Sequence, residues 1–251
     1  MVKNATGAIV AIGGGELKDL ETLPIDRALL ELSPKRHPRA LFVPTASNDA
    51  FGYWETFQDV YGKKLGCKTE ALFLIREKLS QKRIEEKILS ADIIYVGGGH
   101  TLKMLRIWRK LGVDRLLRQA YEKGTILSGL SAGAVCWFRF ASSDSRRFMK
   151  NGKKGDVLMR VTGLGLLPFT LSPHHVKEKK LRDAGIKKIM TRTPGVALAL
   201  DDNSAICFQG DRYQVFTSKK GVGIKKVFFK KGKIEVVAIK EKGLMSDLRS
   251  K

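Results

Sequence analysis

The chain has 251 residues, 43% hydrophobic and 29% charged, which supports a sizeable buried core in one or at most two domains and excludes a disordered or fibrous chain. Its 47 basic residues outnumber the 25 acidic ones by 22, so the surface is strongly positive and attracts anions, whether acidic small molecules, nucleic acid or membrane phosphate. The three cysteines, Cys67, Cys136 and Cys207, form no C-x-x-C pair, which speaks against a disulfide framework or a thiolate metal site and for a reducing cytoplasm.

The first apolar run, Ala8–Ile12, stops at Gly13-Gly14-Gly15 and is too short for a signal segment or a membrane span. It reads as a buried parallel strand, as do residues 40–43, which end at Pro44-Thr45-Ala46-Ser47. Tyr53, Phe57, Val60 and Tyr61 then share one helical face, and a third strand is expected over residues 70–75. Ser80 is positioned to cap a helix with Ile84 and Ile88 inward, followed by a strand at Ile93–Val96 and a glycine turn, Gly97-Gly98-Gly99. Thr101 is expected to cap the next helix, and a second helical stretch runs to Gly124, before a strand from Thr125. Beyond residue 160 the runs shorten, at Val196–Leu200 and residues 205–208, 213–217, 226–229 and 233–239, which suggests antiparallel hairpins. The expected fold is α/β: a mostly parallel sheet with helices on both faces and C-terminal antiparallel hairpins, with residues 1–251 as a single domain.

Lys219, Lys220, Lys225, Lys226, Lys230, Lys231 and Lys233 crowd those hairpins, where lysine on an edge strand guards against aggregation. A nucleic-acid partner is admitted by the charge, but Phe228 and Phe229 are adjacent, so at most one can share a face with the lysines.

Chemistry concentrates at Gly129-Leu130-Ser131-Ala132-Gly133, a G-x-S-x-G between a strand and an apolar stretch. At such an elbow small neighbours let the chain bend sharply and lift the serine hydroxyl above the sheet, beside the free N–H groups of a helix start. Ser131 is the candidate nucleophile. Of the four histidines, His37 sits in a proline-bounded polar loop and His100 is a pocket-lining candidate at the mouth of the sheet. His174 and His175 follow Ser172-Pro173 at a strand end, where only one can face Ser131. No H-E-x-x-H or carboxylate partner sits at ligand spacing, so no metal is expected. A carboxylate must orient the imidazole, and Asp201 and Asp202, ending Val196–Leu200, are equally placed to do so. The oxyanion donors would be the Ala132 N–H and one from Gly98 or Gly99. Neither glycine tract matches G-x-G-x-x-G and no G-K-[ST] occurs, so no nucleotide cofactor is expected.

With these residues assembled, the chain resembles the peptidase E and cyanophycinase family of serine exopeptidases, whose fold is similar to class I glutamine amidotransferases. The resemblance spans nearly the whole chain and rests on Tyr95-Val96-Gly97-Gly98-Gly99-His100-Thr101, Gly129-Leu130-Ser131-Ala132-Gly133-Ala134, Ser172-Pro173-His174 and Ala199-Leu200-Asp201-Asp202-Asn203-Ser204-Ala205. It implies Ser131 as nucleophile, His174 as base and Asp202 as acid, where peptidase E usually carries glutamate. His100 stands where the family has asparagine. Peptidase E's preference for an N-terminal aspartate implies a cationic substrate anchor, for which Arg146 and Arg182 are the candidates. The expected partner is a small peptide with an acidic N-terminal residue; a membrane partner is not expected, and a homodimer is compatible with the sequence. The alternatives are an α/β-hydrolase-type esterase using Asp144 or Asp156, and a non-catalytic anion- or nucleic-acid-binding protein.

Overall fold

The computed structural model of the protein describes residues 7–148, 158–230 and 233–249. Strand β1 (Ala8–Ile12) leads through α1 (Leu23–Glu31) to β2 (Arg39–Val43). Helix α2 (Phe51–Phe57) continues as a π-helical stretch, Gln58–Lys64, and β3 (Lys68–Ala71), α3 (Gln81–Leu89) and β4 (Ile93–Val96) follow. Helices α4 (Thr101–Leu111) and α5 (Val113–Glu122) return the chain to β5 (Ile126–Leu130). A four-residue α6 (Ala132–Val135) then opens onto β6 (Phe138–Ser143), β7 (Met159–Thr162) and β8 (Leu167–Ser172). After α7 (Lys179–Met190) come β9 (Val196–Leu200), β10 (Ser204–Gln209), β11 (Arg212–Thr217), β12 (Ile224–Lys230), β13 (Lys233–Ala238) and β14 (Lys242–Leu244).

These strands form two mixed sheets where one mostly parallel sheet was expected. The first has the order β14-β11-β10-β1-β5-β4-β2-β3, and the second β13-β12-β9-β8-β6-β7. In the first, β1, β5, β4, β2 and β3 run parallel, while β10 adds antiparallel to β1. Alternation along β1 explains why helices cover both faces. Ile9 and Ala11 pack with Ile84, Leu105, Trp108 and Leu117, whereas Val10 and Ile12 pack with Ile25, Leu29, Phe57 and Tyr61. The second sheet buries Phe169, Leu171, Leu198 and Leu200 against the first of these layers, with Ile206 and Phe208. Its other face is covered by α7, through Ile186 and Met190 on Ala197, Ala199 and Val227.

The departures from the sequence reading have local causes. A helix does start after Ser131, but it ends at Val135, and the apolar stretch continues from Phe138 as a strand, because the chain here leaves the first sheet for the second. The third strand lies over Lys68–Ala71, not 70–75, where it stays in register with β2. His100, not Thr101, caps α4: its Nδ1 accepts from the Lys103 N–H at 3.4 Å. The expected C-terminal hairpins are present as β10–β11 and β12–β13, but β12 adds to β9 in the second sheet. Lys231 of the lysine cluster lies outside the described residues. No helix among the described residues is long and apolar enough to cross a membrane.

Candidate active site

Ser131 stands at the end of β5, where the backbone turns with φ 54° and ψ −107°. That conformation is rare for a residue with a side chain and is held by its surroundings. Glycine on either side makes the turn sterically feasible: a Cβ at Gly129 would overlap Gly133 O, and one at Gly133 would overlap Val96 O. The spacing of the G-x-S-x-G motif is thus a packing requirement of β5, α6 and β4. The Ser131 N–H is spent on Ile12 O at 3.0 Å, which ties the turn to β1. Ala132 is the first residue of α6, and its N–H, like the others of a helix's first turn, has no carbonyl within the helix to serve.

His174 follows the end of β8 with φ 55°, and its N–H donates to Gly13 O at 3.3 Å. Its Nε2 lies 2.8 Å from Ser131 Oγ and its Nδ1 lies 2.5 Å from Asp202 Oδ1. With the ring proton on Nδ1 donated to the carboxylate, Nε2 is left to accept the Ser131 O–H. Burial alone would raise the Asp202 pKa, but the hydrogen bond and electrostatic attraction from His174, with the positive charges of Lys177 and Arg182, outweigh it and hold Asp202 below the ordinary carboxylate value.

The two aspartates that sequence left equivalent face opposite ways. Asp202 meets His174, whereas Asp201 is buried and its Oδ2 accepts from the Gly223 N–H at 3.0 Å, pinning the approach to β12. The two histidines also diverge. His175 is buried, its Nε2 lies 3.3 Å from Asp183 Oδ1, and burial lowers its pKa.

The Gly13–Gly15 tract, read from sequence only as a rejected nucleotide loop, is part of the site. Gly13 O accepts from His174 N–H, and Gly14 O accepts from Asn203 N–H at 2.9 Å. A Cβ on Gly14 would overlap Asp202 Oδ1 and come within 2.5 Å of His174 Nδ1. No sequence motif marks this function, because the partners lie far away in the chain.

Ser131, His174 and Asp202 open into a cleft of about 440 Å³ shared with Gly98, Tyr53, Thr56, Glu16, Leu17, Lys18, Glu21 and Lys177. Gly98 approaches closely, since a Cβ there would be 3.6 Å from Ser131 Cβ. Its N–H, however, is directed at Tyr53 Oη over 3.4 Å. Gly99, at φ 137°, packs against Ala46.

The three candidate substrate contacts do not line this cleft. His100 is turned to the start of α4, with burial lowering its pKa. Arg146 is exposed on the Ser145–Phe148 turn. Arg182 is 2% exposed and donates from Nε and Nη2 to Glu178 Oε2 at 2.9 and 2.6 Å and from Nη1 to Ser142 O at 3.2 Å, so its fork is consumed inside the fold. The cations that do border the cleft are Lys18 and Lys177, both exposed and neither marked by a motif. Asp144 borders His100 rather than the cleft, and Asp156 lies outside the described residues.

A larger groove, about 630 Å³, runs between α7 and the β12–β13 hairpin and contains none of Ser131, His174 and Asp202. Among the described residues no group of three or more His, Cys, Asp or Glu side chains is arranged to hold a metal ion.

The model for peptidase family S51 matches residues 9–216. The chain belongs to peptidase family S51. The protein called uncharacterized peptidase YgaJ of Bacillus subtilis (strain 168) is 31% identical over 238 residues, which cover 94% of this chain and 98% of that protein. Among solved structures, a peptidase from an acI-B1 actinobacterium superposes with a TM-score of 0.69 at 19% identity, covering 96% of this chain and 98% of that one. A putative peptidase E protein from Listeria monocytogenes EGD-e gives a TM-score of 0.63 at 22% identity, covering 85% of this chain and 99% of that one. Family S51 membership makes the chain a peptidase, and these two structures share its fold.

Proposed function

We propose that this S51 peptidase is a serine exopeptidase that hydrolyses dipeptides or short peptides with an acidic N-terminal residue. The observation that carries the reading is the unbroken hydrogen-bond chain from Ser131 Oγ through both nitrogens of His174 to Asp202 Oδ1. In the acylation step His174 takes the Ser131 proton as Oγ bonds to the peptide carbonyl carbon, and the Ala132 N–H faces the oxygen that becomes negative. His174 then delivers that proton to the leaving amine. A water, deprotonated in turn by His174, cleaves the acyl-enzyme and returns the hydrogen to Ser131.

Charge supports the choice of substrate. Lys18 and Lys177 border the cleft and suit the side-chain carboxylate of an N-terminal aspartate, while Glu16 suits the free α-ammonium. The excess of 22 positive charges adds a long-range pull on anionic peptides.

The test joins fluorophosphonate labelling, with mapping of the labelled residue, to a dipeptide panel. Labelling at Ser131, its loss in Ser131→Ala, and faster cleavage of aspartyl than of lysyl dipeptides are expected, with the preference reduced in Lys177→Glu. An unlabelled Ser131 together with an untouched panel would end the proposal.

A further inference from the structure

The Gly98 N–H, one of the two expected candidates for second oxyanion donor, is directed at a side chain rather than at open cleft. It donates to Tyr53 Oη over 3.4 Å. Tyr53 is held there by two contacts that position its ring. It packs edge-on against Phe42, with centroids 5.0 Å apart and planes at 68°, and it crosses Gly97, where a Cβ would come within 2.8 Å of Tyr53 Cε1. Gly98 is therefore a neighbour of both Ser131 and the Tyr53 hydroxyl, and all three residues border the same cleft.

Having accepted the Gly98 hydrogen, Tyr53 Oη makes no other hydrogen bond among the described residues. A phenol that accepts one bond still carries a hydrogen to give, and accepting from an amide strengthens that donation. Burial pushes the Tyr53 pKa up to about 12, so the hydroxyl keeps its proton at neutral pH.

We propose that Tyr53 is a catalytic residue: its O–H donates to the tetrahedral oxyanion opposite the Ala132 N–H, with the Gly98 N–H polarising it from behind. No proton leaves the phenol, and the hydrogen bond shortens as charge moves onto the former carbonyl oxygen. The inference rests on the serine-hydrolase reading of Ser131.

Tyr53→Phe keeps the ring and removes only the hydroxyl, and thermal unfolding checks that the fold is retained. The readout is the rate at which a fluorophosphonate probe labels Ser131, because the phosphoryl oxygen gains charge in the same place and no peptide need be known. Labelling should slow by about 10²–10³-fold, the usual effect of losing one oxyanion donor. Affinity for a peptide boronate, which forms a charged tetrahedral adduct on Ser131, should fall in parallel, a loss that a merely structural role in a folded variant would not produce. Equal or faster labelling in Tyr53→Phe would overturn the proposal and return the donor role to Gly98 itself. A wild-type protein that does not label at Ser131 would overturn the hydrolase reading and this inference together, so the two failures are distinguishable.

Discussion

Gly14 presses its bare Cα against the hydrogen bond between His174 and Asp202, at a point where a Cβ would overlap Asp202 Oδ1 and stand 2.5 Å from His174 Nδ1. The smallest side-chain addition there has to push Asp202 and His174 apart. Gly14→Ala is expected to lower turnover and probe labelling by about 10²-fold, the scale of an ångström-sized misplacement of a reacting group, with little change in unfolding temperature. Steady-state kinetics beside calorimetry checks this.

The strain at Ser131 predicts a trade between stability and activity. Its φ of 54° suits glycine better than any residue with a side chain. Ser131→Gly should be inactive yet more stable than Ser131→Ala by about 1 kcal/mol, since only glycine relieves the backbone. Denaturant unfolding of both variants measures the difference.

Neighbouring aspartates should give opposite phenotypes. Asp202→Asn leaves the imidazole without the carboxylate that sets its tautomer and is expected to cost about 10⁴ in kcat, with unfolding nearly unchanged. Asp201→Ala removes the acceptor of the Gly223 N–H bond and should instead destabilise by about 1–2 kcal/mol, leaving most of kcat. Equal kcat losses in the two would refute the assignment.

A buried acid far from the cleft shapes the pH dependence of stability. Asp26 is fully buried, bonded by Tyr61 Oη and Thr22 Oγ1, and burial raises its pKa from 3.8 to about 6. Between those values the folded state holds a proton that the unfolded chain releases, so this group's contribution falls as pH rises through the window and stays lost above it. The loss amounts to about 3 kcal/mol. Asp26→Asn should lack that slope, so the stability difference between variant and wild type should widen in the variant's favour from pH 4 to pH 6 in urea titrations.

Arg182 and Lys177 should separate structure from specificity. Arg182→Gln removes the guanidinium fork that donates to Glu178 Oε2 and Ser142 O and should lower the unfolding temperature. Lys177→Gln should leave it unchanged and raise KM for aspartyl dipeptides several-fold.

The parts of the molecule legible in the sequence are those whose cause is local. Apolar runs ending in glycine marked β1 and β4, the run stopped by Pro44 marked β2, the G-x-S-x-G motif marked the turn at Ser131, and Ser80 accepts from Arg83 N–H as a capping serine should. What stayed hidden depends on distant partners. β6 reads as an extension of the preceding apolar stretch until β8 is beside it, and α7 carries Gly185 and a burial pattern that includes a charged Arg182. The choice between Asp201 and Asp202 was decided by family resemblance rather than by residue pattern, and in the structure His174 stands on one side and Gly223 on the other. Gly14 and Tyr53 had no readable signal, since their neighbours come from the far half of the chain or from another loop.

The chain passes from the first sheet to the second just after Ser131 and comes back just before β10, through Asp202, while His174 hangs from the end of a second-sheet strand. The hydroxyl therefore belongs to one slab and the imidazole to the other. Sliding the slabs by about an ångström would part them, and would have to break the His174 N–H bond to Gly13 O that rivets the two, while every ladder in both stayed intact. Loss of function on warming then becomes a gauge of how firmly the two halves grip, ahead of any melting within either.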